Sequence, residues 1–101
     1  MLFMIIERFK KGDFAAVGER FTTRGRMLPH GVAYHASWVD SHGARCFQLM
    51  EAGDVESLDA WIARWDDLVD FEVVPVQTSA DFWATRTRQS AENMEDLASP
   101  D

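Results

Sequence analysis

VAYHASWVDSHGARCFQLME, residues 32–51, is the stretch whose reading decides the fold. Val32 to Asp40 and Arg45 to Glu51 are two runs rich in apolar and β-branched or aromatic residues. The segment between them, Ser41-His42-Gly43-Ala44, contains glycine and has hairpin length, so the pair predicts two antiparallel strands. If Asp40 pairs with Arg45, period-two alternation fixes the remaining register. One face then carries Trp38 opposite Phe47 and Ala36 opposite Leu49. The other carries Val39 opposite Cys46, Ser37 opposite Gln48 and His35 opposite Met50. The first set is wholly apolar and is expected to pack on helices. The second is mixed and brings His35, Ser37 and Gln48 close together.

Outward toward the N-terminus, Leu2 to Phe9 is short, apolar and bounded by Lys10-Lys11-Gly12, the pattern of a strand. Leu2 to Ile6 is apolar on both faces, which predicts a central strand covered on two sides. Asp13 stands where an N-cap belongs, ahead of Phe14, Val17 and Phe21 at helical spacing. That helix is expected to run to about Arg26, weakened by Gly18 and two threonines, with Pro29 and Gly31 closing the segment.

Toward the C-terminus, Asp54 caps a second helix in which Leu58, Trp61, Ile62, Trp65 and Leu68 make one apolar stripe. Asp70 to Gln77 reads as a fourth strand. Pro75 cannot donate to a ladder, so the expectation is that this strand lies at an edge or ends there. The order is β-α-β-β-α-β, an α+β, ferredoxin-like domain with a four-stranded antiparallel sheet over residues 1–78. Thr78 with Asp81 resembles a capping box and starts a C-terminal helical extension over 79–91, anchored by Phe82 and Trp83. Residues 92–101 are polar and acidic, and composition predicts disorder there.

Two helices can cover only one face of such a sheet. A strand that is apolar on both faces would leave a large apolar patch in water, which monomers rarely tolerate. A second copy laid sheet to sheet solves the problem, so the sequence predicts a homodimer. Four Trp and seven Phe in 101 residues supply ample material for a core, an interface or a cavity.

The net charge of -7 argues against a phosphate-binding surface. Four of the acids, Glu92, Glu95, Asp96 and Asp101, stand in the last ten residues, and the other 91 carry thirteen acids against ten bases. The acidity is that of a solvated tail on an ordinary domain, and no nucleic-acid partner is expected. Cys46 is the single cysteine, so no intrachain disulfide can form. The apolar start contains Glu7 and Arg8 and reads as neither a signal peptide nor a membrane span, which makes a cytoplasmic location the expectation.

No catalytic or cofactor motif stands out. The candidate ligand-binding face holds His35, Ser37, Gln48, Cys46 and Met50. On one reading these residues line a cavity between two sheets, where His35 binds or deprotonates a small ligand. On the other they hydrogen-bond one another and merely satisfy a buried interface. His30, His35 and His42 match no metal-ligand spacing, so no metal or cofactor is expected. Cys46 and His35 do not face each other, and no acid orients them as a nucleophilic pair. Trp61 and Trp65 lie on the apolar stripe and read as core. Asp66, Asp67 and Asp70 read as a solvated helix end, and Arg20, Arg24, Arg26, Lys10 and Lys11 as a solvated basic face.

Five stretches together resemble the small bacterial proteins of domain of unknown function 3303: MLFMIIERFK at 1–10 with Gly12-Asp13, RFTTRGRMLP at 20–29, YHASWVD at 34–40, RCFQLME at 45–51, and AWIARWDDLVDFEVVPV at 60–76. The resemblance implies the dimeric α+β-barrel fold, in which two ferredoxin-like protomers pack sheet to sheet. It implies no activity, because that family is uncharacterised. More distant relatives by fold include antibiotic-biosynthesis monooxygenases, muconolactone isomerases and stress-responsive barrel proteins, whose site residues differ from those here. Three functions follow as expectations. The first is binding of a small, partly apolar molecule in the cavity. The second is a cofactor-independent monooxygenase- or isomerase-like enzyme with His35 as base. The third is a non-catalytic regulatory or assembly module docking through its C-terminal extension.

Overall fold

A computed structural model describes residues 1–87. Strand β1 spans Leu2–Phe9, helix α1 Phe14–Arg24, β2 Ala33–Val39 and β3 Arg45–Glu51. A 3-10 turn, Glu56–Leu58, runs directly into a short helix α2, Asp59–Ala63, and β4 spans Val69–Val76. Residues 79–87 form a third helical segment, α3. The sheet order is β2-β3-β1-β4, with every neighbouring pair antiparallel. The chain is therefore the expected βαββαβ domain, with β1 central and the proline-bearing β4 at an edge. The rest of the predicted extension, 88–91, and the acidic tail, 92–101, lie outside the described residues.

Local chemistry sets the boundaries. The Asp13 carboxylate accepts from the Ala16 backbone N–H at 3.1 Å and starts α1. The helix ends where Gly25 takes φ 68° and its N–H returns to the Phe21 carbonyl. Asp54 accepts from both the backbone N–H and the hydroxyl of Ser57, starting the second helical segment. In the hairpin, Asp40 Oδ1 takes the backbone N–H groups of His42 and Ala44, an aspartate-templated turn that fixes the register. The Thr78 hydroxyl accepts from the Asp81 N–H at 3.0 Å, the cap expected for α3.

The register pairs Trp38 with Phe47, Ala36 with Leu49, Ser37 with Gln48 and Val39 with Cys46, as the hairpin reading expects. One pairing differs. Tyr34, not His35, lies opposite Met50, because the ladder shifts between Tyr34 and Ala36 and leaves His35 as an extra residue in a bulge.

The assignment of faces is the reverse of the expectation. Phe3, Ile5 and Met50 are fully buried with Leu58 and Trp61 in one cluster, so the mixed set of β2 and β3 faces the helices. The all-apolar set, Phe47 and Leu49 with Leu2, Met4, Ile6, Val74 and Val76, lies on the open face and is only half-buried. Trp38, on that face, is 55% exposed. Period-two alternation says which side chains share a face but not which face meets helices. Apolar content could not break the tie here.

The helix-covered side is packed unevenly. Under α2, Leu58, Trp61 and Trp65 close on Phe3, Ile5 and Met50, with Trp61 edge-on to Phe71 at a centroid distance of 5.5 Å. Helix α1 has no buried residue, and Phe14 on it is 63% exposed. Apart from Val17, which packs against the core cluster, it is held by polar ties. Arg20 makes a two-pronged ion pair with Asp67, both bonds 2.7 Å, and a further bond to the Arg64 carbonyl. Lys10 reaches the Asp66 carbonyl at 2.7 Å. The acidic run after α2 is thus an anchor for α1 and for the segment before it, not a solvated helix end.

Candidate functional site

The space between α1 and the sheet is a pocket of about 360 Å³. Its floor is formed by Glu7 of β1, Cys46 of β3, and Ser37 and Val39 of β2. Phe14, Val17, Gly18 and Phe21 of α1 form the roof, and Arg26 and Trp65 the end wall. Gly18 matters to its size. A Cβ built there meets nothing within 4 Å, so the helix pays for a glycine that packing does not require.

Two polar side chains that line this apolar space, Glu7 and Arg26, are linked through a third behind it, Gln48. Glu7 and Gln48 are 5% and 7% exposed. The Gln48 amide nitrogen donates to Glu7 Oε2, and Arg26 Nε donates to Gln48 Oε1 at 2.9 Å. Arg26 has only donors, so it sets the amide orientation and turns the Gln48 NH₂ toward the carboxylate. The Arg26 guanidinium lies 3.6 Å from the Tyr34 ring centroid and 5.1 Å from that of Phe21. Tyr34 in turn shares a hydrogen bond of 2.8 Å with Ser37.

The α1–β2 loop is pinned from below. The Arg26 carbonyl accepts both indole N–H groups, Trp61 at 3.0 Å and Trp65 at 3.1 Å. The next carbonyl, that of Met27, takes Arg64 Nη1 at 2.6 Å, while Met27 itself sits at φ 59°. Trp61 and Trp65 are core residues, as the stripe implies, and they also hold Arg26 over the pocket.

Burial pushes the Glu7 carboxyl up to about 7, against the opposing pull of the Gln48 hydrogen bond and the Arg26 charge. A carboxyl that titrates near neutrality, in a cavity, can take or give a proton under ordinary conditions. The neighbouring Cys46 thiol is pushed up to about 11 by burial and by the Glu7 charge, so it stays protonated and a poor nucleophile.

Of the five residues on the predicted binding face, Ser37 and Cys46 line this pocket, between sheet and helix and not between two sheets, and Gln48 is buried behind it, bonded to its lining residues Glu7 and Arg26. Met50 is fully buried in the core beside it. His35 lies elsewhere: the bulge sends it to the solvent side, where its Nε2 bonds Glu51 Oε1 at 2.8 Å. A base role for His35 at this pocket therefore does not fit. Glu7 and Arg26 complete the site and were not among the expected residues. For Glu7 a signal was present, since it shares the inward parity of Phe3 and Ile5 and is the one acid in that apolar run. Two other depressions, of about 340 and 460 Å³, are bordered by exposed residues such as Glu19, Arg24 and Glu51 and contain no buried polar group.

Among the described residues, no helix is long and apolar enough to cross a membrane, and no group of three His, Cys, Asp or Glu side chains could hold a metal ion. No curated protein and no solved structure matches the chain. The family described as domain of unknown function (DUF3303) matches residues 1–90, and the chain belongs to that family.

Proposed function

We propose that this member of the DUF3303 family binds a small, predominantly apolar molecule in the pocket between α1 and the sheet. The observation that carries the reading is the pair Glu7 and Arg26, lining an otherwise apolar cavity and joined through the buried Gln48 amide. Ligand sites have this makeup, apolar walls with a few convergent polar groups, and about 360 Å³ lies at the small end of their range. The test uses the neutral fluorophore N-phenyl-1-naphthylamine. Wild-type protein should enhance its emission saturably, and Gly18→Leu, which fills the pocket from a position with open space around it, should abolish the enhancement. Equal binding by both proteins would remove the pocket from consideration.

We further propose that two copies associate through the open sheet face. Leu2, Met4, Ile6 and Leu49 contribute to one contiguous apolar surface with Trp38 beside it, more than a monomer usually exposes. Light scattering should give twice the chain mass, and Leu49→Asp should give the single mass. A wild-type monomer at micromolar concentration would refute the association. The lone, unpaired Cys46 fits a reducing compartment such as the cytoplasm.

One observation favours an enzymatic reading as the second choice. Glu7 combines a pocket position with a proton affinity near neutrality, the two requirements of a general base. In such an enzyme Glu7→Gln removes turnover and His35→Ala leaves it intact. The opposite pattern would count against it.

A further inference from the structure

The charge inside the pocket points to the class of ligand, an inference that rests on the pocket-binding reading above. Among the described residues, three titratable groups face this space: Glu7 from β1, Cys46 from β3 and Arg26 from the α1–β2 loop. The other described elements around Glu7 bring no charge. Helix α1 presents Val17 and Gly18, β2 Ser37 and Val39, and β4 Phe71, which pairs with Glu7 across the sheet. Arg26 is a permanent cation, and Cys46 stays a neutral thiol. Glu7 alone changes its charge. The pocket is therefore either neutral or singly positive, and never negative.

Arg26 is also incompletely used. Its Nε is committed to Gln48, its guanidinium face lies on Tyr34, and its two terminal nitrogens have no hydrogen-bond partner among the described residues. Glu7 Oε2 takes the Gln48 amide, while Oε1 is neither bonded nor sealed off, and Glu7 borders the cavity. One oxygen and two guanidinium nitrogens are thus left to a visitor.

We propose that the ligand is a weak organic acid, an apolar body ending in a carboxylate or acidic hydroxyl, whose anionic oxygen is bound by Arg26 and by the protonated Glu7 carboxyl. An anion beside an ionised Glu7 would meet like charge in a poorly solvated site, so binding carries one proton in with it. The ligand's own bonds are untouched: the one proton taken up leaves a solvent or buffer acid and forms the O–H bond of the Glu7 carboxyl. A cationic amine has the opposite difficulty, because Arg26 cannot give up its charge.

Isothermal titration with three matched probes, 2-naphthoate, 2-naphthylmethanol and 2-naphthylmethylamine, tests the proposal. At pH 6 the naphthoate should bind at least about tenfold more tightly than the alcohol, with the amine weakest. Above pH 7 its affinity should fall, approaching about tenfold per pH unit. At pH 7.5, titrations in buffers of different ionisation enthalpy should show net uptake of a proton. Arg26→Gln should erase the preference for acid over alcohol, and Glu7→Gln, neutral at every pH, should flatten the slope. Equal binding of acid and alcohol, tighter binding of the amine, or a slope that persists in Glu7→Gln would overturn the inference while leaving the pocket intact. Failure of all three probes and of N-phenyl-1-naphthylamine would overturn the pocket reading together with it.

Discussion

Under α2 the sheet meets Leu58, Trp61 and Trp65, each no more than 6% exposed, whereas under α1 it meets Val17, a glycine and open space. Both ends belong to the same four strands and the same face. They differ in what secures the helix above. The α2 end is closed by aromatic bulk, and the α1 end by charged ties at its margin, Arg20 to Asp67 above all. A helix seated by its rim can stand off the sheet, and that is how a domain this small keeps a cavity beside its core. The tight core and the cavity thus lie at different ends of one layer.

The contrast can be broken most sharply by truncating an aromatic at each end. Trp61→Ala should cost about 3–5 kcal/mol in denaturant unfolding, because a buried indole and its bond to the Arg26 carbonyl are lost together. Phe14→Ala, at an exposed position over the pocket, should cost less than about 1 kcal/mol. Comparable losses at the two sites would contradict the division.

The next effect in size is set by pH. Glu7 has a higher proton affinity folded, about 7, than its ordinary value of 4.5. The unfolded chain therefore releases this proton first as pH rises. The stability it confers is full below about 4.5 and is lost as pH climbs through 7. The loss over that window is on the order of 3 kcal/mol. Subtracting the stability profile of Glu7→Gln from that of wild type should isolate this decline; parallel profiles would show that Glu7 is not perturbed.

Smaller still is the effect of Gly18→Ala, which adds a methyl in open space to an exposed helix. It should raise stability by about 0.5–1 kcal/mol. A destabilised variant would mean that α1 sits closer to the sheet than described. Finally, Arg20→Ala should speed hydrogen exchange across α1 and leave the amides of α2 and β1 unchanged. Uniform acceleration would show that the rim contacts support the whole domain.

Most of the fold was legible in the sequence because its punctuation is local. Asp13, Asp40, Asp54 and Thr78 each act within four residues of themselves, and each marks the element boundary or turn it should. Strand β3 was legible to the residue. The helix-facing side was not, because it depends on how β1 crosses to α1, which alternation does not encode. The bulge at His35 was hidden for a related reason: nothing in Tyr34-His35-Ala36 marks an extra residue, and one residue of slip is enough to remove His35 from the site. Ser37, Cys46 and Gln48 were found because they share a strand pair. Arg26 was missed because its place depends on Trp61 and Trp65, 35 and 39 residues away.

That double attachment has an optical consequence. The two indoles whose N–H groups end on the Arg26 carbonyl are half of the four tryptophans in the chain. Indole emission shifts with the field along its ring, so any displacement of Arg26 by an occupant is written into the protein's own ultraviolet spectrum. The domain carries a reporter wired to its pocket, and a change in emission wavelength on titration would signal occupancy without any label.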